Sequence, residues 1–99
     1  MGTGTPTLIE ECENAAKMLR ALAHPQRLQI LCHLSEDELA VSELERRCGA
    51  SQSAVSQFLA RMKAEGLVAS RRDGNFVYYR IQDSKVRKLI RAMHGIFCP

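Results

Sequence analysis

Two sets of residues in this 99-residue chain have side chains and spacings suited to chemistry. The first is four cysteines, Cys12, Cys32, Cys48 and Cys98. A thiol, once ionised, is a nucleophile, a metal ligand and a redox partner. The second is the stretch Ser42 to Leu67, SELERRCGASQSAVSQFLARMKAEGL. Within it Ser53, Ser56, Gln57, Ala60 and Arg61 recur at helical spacing with no carboxylate among them. Small residues let a helix sit deep in the major groove, and Ser, Gln and Arg side chains hydrogen-bond base edges or phosphates.

Each thiol has a plain packing alternative. Cys32 lies inside Gln29-Ile30-Leu31-Cys32-His33-Leu34, and most cysteines in such apolar runs are inert core. Cys98 follows a helix close to the C-terminus, where no core demands it. The negative end of the helix dipole disfavours a thiolate there, and His94, one turn earlier, can offset this. Cys12 and Cys48 fall on apolar helix faces and read as packing residues. No Cys-x-x-Cys is present and no cysteine has an adjacent acid–base partner, so a thiol enzyme is not expected.

The elements that must position these residues follow from periodicity. Val41, Leu44 and Cys48 share one helical face, Gly49 can take the left-handed conformation that stops a helix, and Ser51 can cap the next. Val55, Leu59 and Met62 form the apolar stripe of that second helix, which Gly66 ends. This is a helix-turn-helix whose exposed face offers Gln52, Ser53, Ser56, Gln57 and Arg61 to DNA. From Leu67 to Ile81 the period changes: Val68, Phe76, Val77, Tyr78, Tyr79 and Ile81 are β-branched or aromatic about the turn Asp73-Gly74-Asn75. The resulting hairpin is a wing whose Arg71, Arg72 and Asn75 can reach DNA.

The rest of the chain frames this unit. Residues 1–7 read as a disordered N-terminal arm, and residues 8–99 as one domain. Leu8 to Ala23 predicts a helix with Leu8, Cys12, Ala15, Ala16, Leu19 and Ala23 on one face. Pro25 opens a second helix to Leu34, apolar nearly all round. Asp83 or Ser84 caps a last helix to about Phe97, striped by Val86, Leu89, Ile90, Met93 and Phe97. The fold class is therefore mainly α with a small β-hairpin: a winged helix-turn-helix of five helices and a two-stranded wing. The amphipathic terminal helices have two places to bury their stripes, the domain's own core or a second copy. A homodimer is expected, which would set two reading helices about 34 Å apart.

Charge follows the same division. Residues 1–38 carry a net −3, residues 39–82 a net +3 and residues 83–99 a net +3. Positive potential thus accompanies the reading region and the last helix. No signal-peptide pattern is seen, and no apolar run approaches the roughly 18–20 residues that span a bilayer. A cytoplasmic protein is expected, with no membrane partner and with its cysteines starting as thiols.

The segments LRALAHPQRLQILCHL, ELAVSELERRCGASQSAVSQFLARMKAEGLV and RRDGNFVYYRI together resemble the winged-helix repressors of the ArsR/SmtB family. The resemblance covers nearly the whole chain from about residue 15, and it implies a dimer that represses its operon and leaves double-stranded operator DNA on meeting an inducer. Many members bind metals through a Cys-x-Cys pair in the helix before the turn. Here that stretch is Leu39-Ala40-Val41-Ser42-Glu43-Leu44, without a thiol. Others hold zinc between the terminal helices through Asp-x-His; here Asp83 is followed by Ser84 and Lys85, and only His94 remains. No metal and no other cofactor is therefore expected at the family's usual sites. Phe58 stands where the family usually has His, and reads as packing. The pair Cys32 and Cys98, with the ending His94-Gly95-Ile96-Phe97-Cys98-Pro99, resembles the family's thiol-sensing subgroup, typified by BigR, SqrR and HlyU. That resemblance implies linkage of the two cysteines, as a disulfide or polysulfide bridge, by an oxidant or reactive sulfur. Three alternatives stay open: a metal-responsive repressor using Cys32, His94 and Cys98, a thiol redox protein without regulatory function, and a protein-interaction module that does not bind DNA.

Overall fold

The computed structural model describes residues 6–49 and 51–98. Its centre is the helix-turn-helix. Helix α3 (Val41–Cys48) ends where Gly49 takes φ 63°, a left-handed conformation that side-chain-bearing residues adopt only under strain. Helix α4 (Gln52–Ala64) starts from Ser51, whose Oγ accepts the Ala54 N–H at 3.2 Å. Val55, Leu59 and Met62 are buried, while the Ser/Gln face is exposed.

Helix α2 (Pro25–Leu34) has proline in its first turn and a histidine cap, the His24 Nδ1 accepting the Gln26 N–H at 3.3 Å. Ile30, Leu31 and Leu34 are buried, and the helix packs against α3, α4 and the last helix, α5 (Ser84–Phe97). Arg27 fixes its start: one nitrogen donates to the Ala21 carbonyl at 3.0 Å, and the fork meets both Glu65 oxygens at 3.0 and 2.9 Å. Phe58 packs against the core with its ring 4.9 Å from that of His24, so its departure from the family pattern is absorbed as packing. The Asp83 carboxylate caps α5 by accepting the Lys85 N–H at 2.8 Å, and α5 is rooted by the buried Val86 and Ile90.

The wing consists of β2 (Val68–Asp73) and β3 (Phe76–Ile81), antiparallel, with Asp73 opposite Phe76 across a two-residue turn. Gly74 there has φ 62°. The sheet has a third strand that the two-stranded expectation lacks. Leu39 and Ala40 form β1, pairing antiparallel with β3 as Leu39↔Tyr79 and Ala40↔Tyr78. Two residues are too few to show a period of two, so pairing rather than pattern defines this strand.

The terminal helices need further correction. Helix α1 (Pro6–Leu22) includes Pro6 and Thr7, which the expected disordered arm had claimed; proline suits a first helical turn, whose N–H groups lack partners. The rest of that arm lies outside the described residues. The Leu8–Leu19 stripe does not face the subunit's own core. Leu8, Ile9 and Leu19 are exposed, Cys12 with them, and α1 meets the core through Met18, Ala21 and Leu22 near its C-terminal end. At the other terminus Phe97 is 74% exposed and Ile96 72%, beyond the reach of the core that Val86 and Ile90 enter. No helix among the described residues is long and apolar enough to cross a membrane.

The burial pattern of α4 separates a structural face from a reading face by a stability test. Leu59 is fully buried, so Leu59→Ala is expected to lower unfolding free energy by about 2–5 kcal/mol. Gln57→Ala, two residues earlier but exposed, is expected to change it by about 0.5 kcal/mol or less. Urea midpoints at constant slope check both.

Candidate functional site

The reading face is built by α4. Gln52, Ser53, Ser56, Gln57 and Arg61 are all exposed. Among the described residues none of these side chains makes a hydrogen bond within the protein, so their donors and acceptors stay available. The face divides along the helix. Gln52 and Ser56, one turn apart, line a groove with Ser42, Glu45 and, from the wing tip, Asn75 and Phe76. Ser53, Gln57 and Arg61 form the adjacent row; Arg61 borders a separate depression with Arg20, His24 and Arg27. Of the residues expected to meet DNA, the fold thus gathers Gln52, Ser56 and Asn75 in one groove, with Ser53, Gln57 and Arg61 on the exposed flank of α4.

The wing arginines part company. Successive strand residues face opposite sides of a sheet, so Arg71 and Arg72 point away from each other. Arg71 shares the outer face with Tyr78, its register partner, and with Asp73, two residues along the same strand. Its guanidinium lies 4.5 Å from the centre of the Tyr78 ring, and its Nε and Nη2 donate to Glu38 Oε1 at 2.9 and 2.7 Å. Arg72 is exposed and makes no hydrogen bond or ion pair with another described residue. Arg71, expected from sequence to reach DNA, is thus paired within the protein. Glu38 is the residue that sequence reading missed. It stands 33 positions before Arg71, and only β1–β3 pairing brings it to the wing.

The thiols are placed by α2 and α5, which pack together. Cys32 is half-buried in α2; Cys98 is exposed and terminates α5, its N–H donating to the His94 carbonyl at 2.7 Å. Burial pushes the Cys32 thiol above its ordinary value, and negative charge on Cys98 pushes it further. The two thiols stand on helices that pack against each other. Just beyond Cys32, the buried Ser35 donates its hydroxyl to the Cys32 carbonyl at 2.7 Å, and Arg91 of α5 donates to the Ser35 carbonyl at 3.1 Å. The end of α2 is therefore fastened to α5 one turn from the thiol.

Cys48 is half-buried against the core and its thiol is raised by burial, which suits packing. Cys12 is exposed on α1, contrary to its reading as a packing residue. His33 is held below its ordinary value by burial and then by Arg47, so it is neutral at pH 7. Among the described residues no group of three or more His, Cys, Asp or Glu side chains is arranged to hold a metal ion, and Cys32, His94 and Cys98 do not converge as such a set.

Comparison with known proteins fits this geometry. Residues 24–70 match the arsR family of bacterial regulatory proteins. The transcriptional activator HlyU of Vibrio cholerae is 41% identical over 99 residues, covering 96% of this chain and 92% of that protein. The structure of reduced HlyU from the same organism superposes with a TM-score of 0.88 at 37% identity, over 96% of this chain and all of that one. The transcriptional repressor BigR of Xylella fastidiosa superposes with a TM-score of 0.86 at 34% identity, over 94% of this chain and 95% of that one. With a helix-turn-helix, a wing and a sequence shared nearly end to end with these regulators, the chain belongs to the ArsR family: it is a DNA-binding transcriptional regulator of winged helix-turn-helix fold, not an enzyme.

Proposed function

We propose that this regulator is a cytoplasmic, homodimeric repressor that leaves its operator when Cys32 and Cys98 are bridged. The observation that carries the reading is the packing of α5, which ends in Cys98, against α2, which holds Cys32, with Arg91 of α5 donating to the Ser35 carbonyl at the end of α2. Dimerisation is supported by apolar residues on the two terminal helices: Ile9, Leu19, Ile96 and Phe97 are exposed large side chains.

The chemistry divides between the sulfurs. Cys98, being exposed, meets the inducer first. Its thiolate takes the outer sulfur of a persulfide RSSH, releasing RS⁻ and leaving Cys98–S–SH. The Cys32 thiolate then attacks the Cys98 sulfur and expels HS⁻, so that both cysteines are oxidised and the transferred sulfur is reduced to sulfide. A peroxide does the same through a Cys98 sulfenic acid, with water leaving when Cys32 attacks. A direct disulfide requires Cα atoms within about 7 Å, and inserted sulfur atoms relax that limit. Either bridge ties the end of α5 to α2. Because α5 then carries the dimer contact, a tilt there alters the separation of two reading helices that must stay in register with the DNA.

DNA contact is assigned to Gln52, Ser53, Ser56, Gln57 and Arg61 on α4, and to Arg71, Arg72 and Asn75 on the wing. Arg61→Ala and Gln57→Ala are each expected to weaken operator binding by about 1–3 kcal/mol, five- to 150-fold, if they read bases. A loss at Arg61 that is uniform across sequences and flattens the salt dependence would instead assign it to phosphate. Anisotropy titrations on operator and random duplexes separate the two.

The switch itself is tested by Cys32→Ser. The variant should bind the operator as the parent does and stay bound when persulfide is added, in a gel shift followed by mass spectrometry. Release equal to that of the parent would remove Cys32 from the mechanism. The raised Cys32 thiol adds a pH signature. Since its thiolate performs the closing step, bridge formation should rise about tenfold per pH unit and keep climbing past pH ~8.5, where an ordinary exposed thiol begins to level off. A rate that flattens below that pH would remove Cys32 deprotonation from the slow step.

A further inference from the structure

The outer face of the wing carries two arginines around one carboxylate. Besides its two hydrogen bonds to Arg71, Glu38 has its second oxygen 4.0 Å from Arg80. Asp73 stands 3.8 Å from Arg71 on the same face. Two positive and two negative charges thus meet there, and the wing's net attraction for a polyanion falls to what Arg72, on the opposite face, supplies. Glu38 enters from the linker between α2 and β1: the register Leu39↔Tyr79 sets position 38 opposite position 80.

An arginine fork that fits a carboxylate fits a phosphate with the same geometry. The strand that delivers Glu38 is already held by backbone pairing, and an exposed ion pair adds little to stability. Its carboxyl is held below the usual carboxylate range, first by the Arg71 hydrogen bonds, so it is charged throughout the neutral range.

We propose that Glu38 is an internal stand-in for a DNA phosphate: it occupies Arg71 in the free protein, must be displaced before Arg71 engages DNA, and so holds affinity below what the wing's arginines would give alone. Arg72 has no such competitor and contacts DNA without an exchange. The inference rests on the wing being a DNA-contacting element, and it is independent of the thiol switch.

The test uses the reduced, full-length protein and a labelled random-sequence duplex of about 30 base pairs, which isolates the phosphate contribution. Glu38→Gln is expected to bind about 3–10-fold more tightly at ~0.1 M salt. Its plot of log Kd against log salt should steepen by about 0.9 for each protomer, because the Arg71 that meets phosphate is no longer neutralised beforehand by Glu38. Arg71→Ala should change the parent less than about twofold, yet erase the whole gain in the Glu38→Gln background, as expected for a coupled pair. Thermal melts accompany each variant, and Glu38→Thr, which suits a strand edge, repeats the comparison should Glu38→Gln disturb the wing. Unchanged or weaker binding by Glu38→Gln overturns the proposal. So does a gain that survives Arg71→Ala, which would mean only that a repelling charge had been removed. If Arg72→Ala weakens binding while Glu38→Gln fails to strengthen it, the Glu38 assignment alone is lost. If neither has an effect, the wing reading is lost with it.

Discussion

The burial of α2 is the constraint on which the rest depends. Ile30, Leu31 and Leu34 form the middle of the core, and α2 touches α3, α4, α5 and the sheet. A protein of this size has one core, and α2 enters it with Ile30, Leu31 and Leu34 while meeting elements on several sides. Whatever moves α2 is therefore felt on both sides: by the helix-turn-helix that reads DNA and by the terminal helix that ends in Cys98. Arg27 at its start and Ser35 at its end fasten it to neighbouring elements through hydrogen bonds to side chain and backbone. With both ends tied, displacement of this helix moves the packed elements with it, because a close-packed interior transmits strain.

Charge is distributed to match. Among the described residues the exposed face of α4 keeps its polar groups without internal partners, whereas several charged groups of α3 and the wing are paired. Glu43 takes both Arg46 and Arg47, which lowers its carboxyl to about 2, and Arg71 is taken by Glu38. Internal pairing of this kind lowers a surface's non-specific attraction to phosphate and leaves the polar face of α4 untouched. For a DNA-binding regulator that balance favours selectivity, since non-specific binding rests almost wholly on phosphate contacts.

How far the sequence could be read depended on the range of the interaction. Gly49 and Ser51 act on their own neighbours, and Asp73-Gly74-Asn75 on the chain immediately around it, so the helix-turn-helix and the hairpin were legible from residue type and spacing. Strand β1 was not, since two residues carry no period. The α1 stripe was legible as a stripe but not as a surface: periodicity says which residues share a face, not what covers it. Glu38–Arg71 depends on the strand register that joins positions 38 and 71. For Cys32, local physics favoured inert packing, and a half-buried thiol with a raised value fits that expectation taken alone. Its pairing with Cys98 came from family resemblance, because no local rule joins two residues at opposite ends of a core.

The placing of the two sulfurs has its own logic. Cys98 caps the last turn of α5, exposed and with only its backbone N–H bonded, and terminal turns open at little cost. Cys32 lies two residues from the buried Leu34 and Ile30. The bridge proposed between them would join an exposed helix end to a half-buried position beside the core. The exposed partner would make the approach needed for bond formation at little cost to packing, while the half-buried one would fix where that end is held afterwards. Had both cysteines been in core helices, closure would have had to strain the core. Had both been at frayed termini, closure would have changed nothing that DNA could feel. An unequal pair is the arrangement in which a small chemical step can become a displacement of α5, and it is the one that the half-buried Cys32 and exposed Cys98 present.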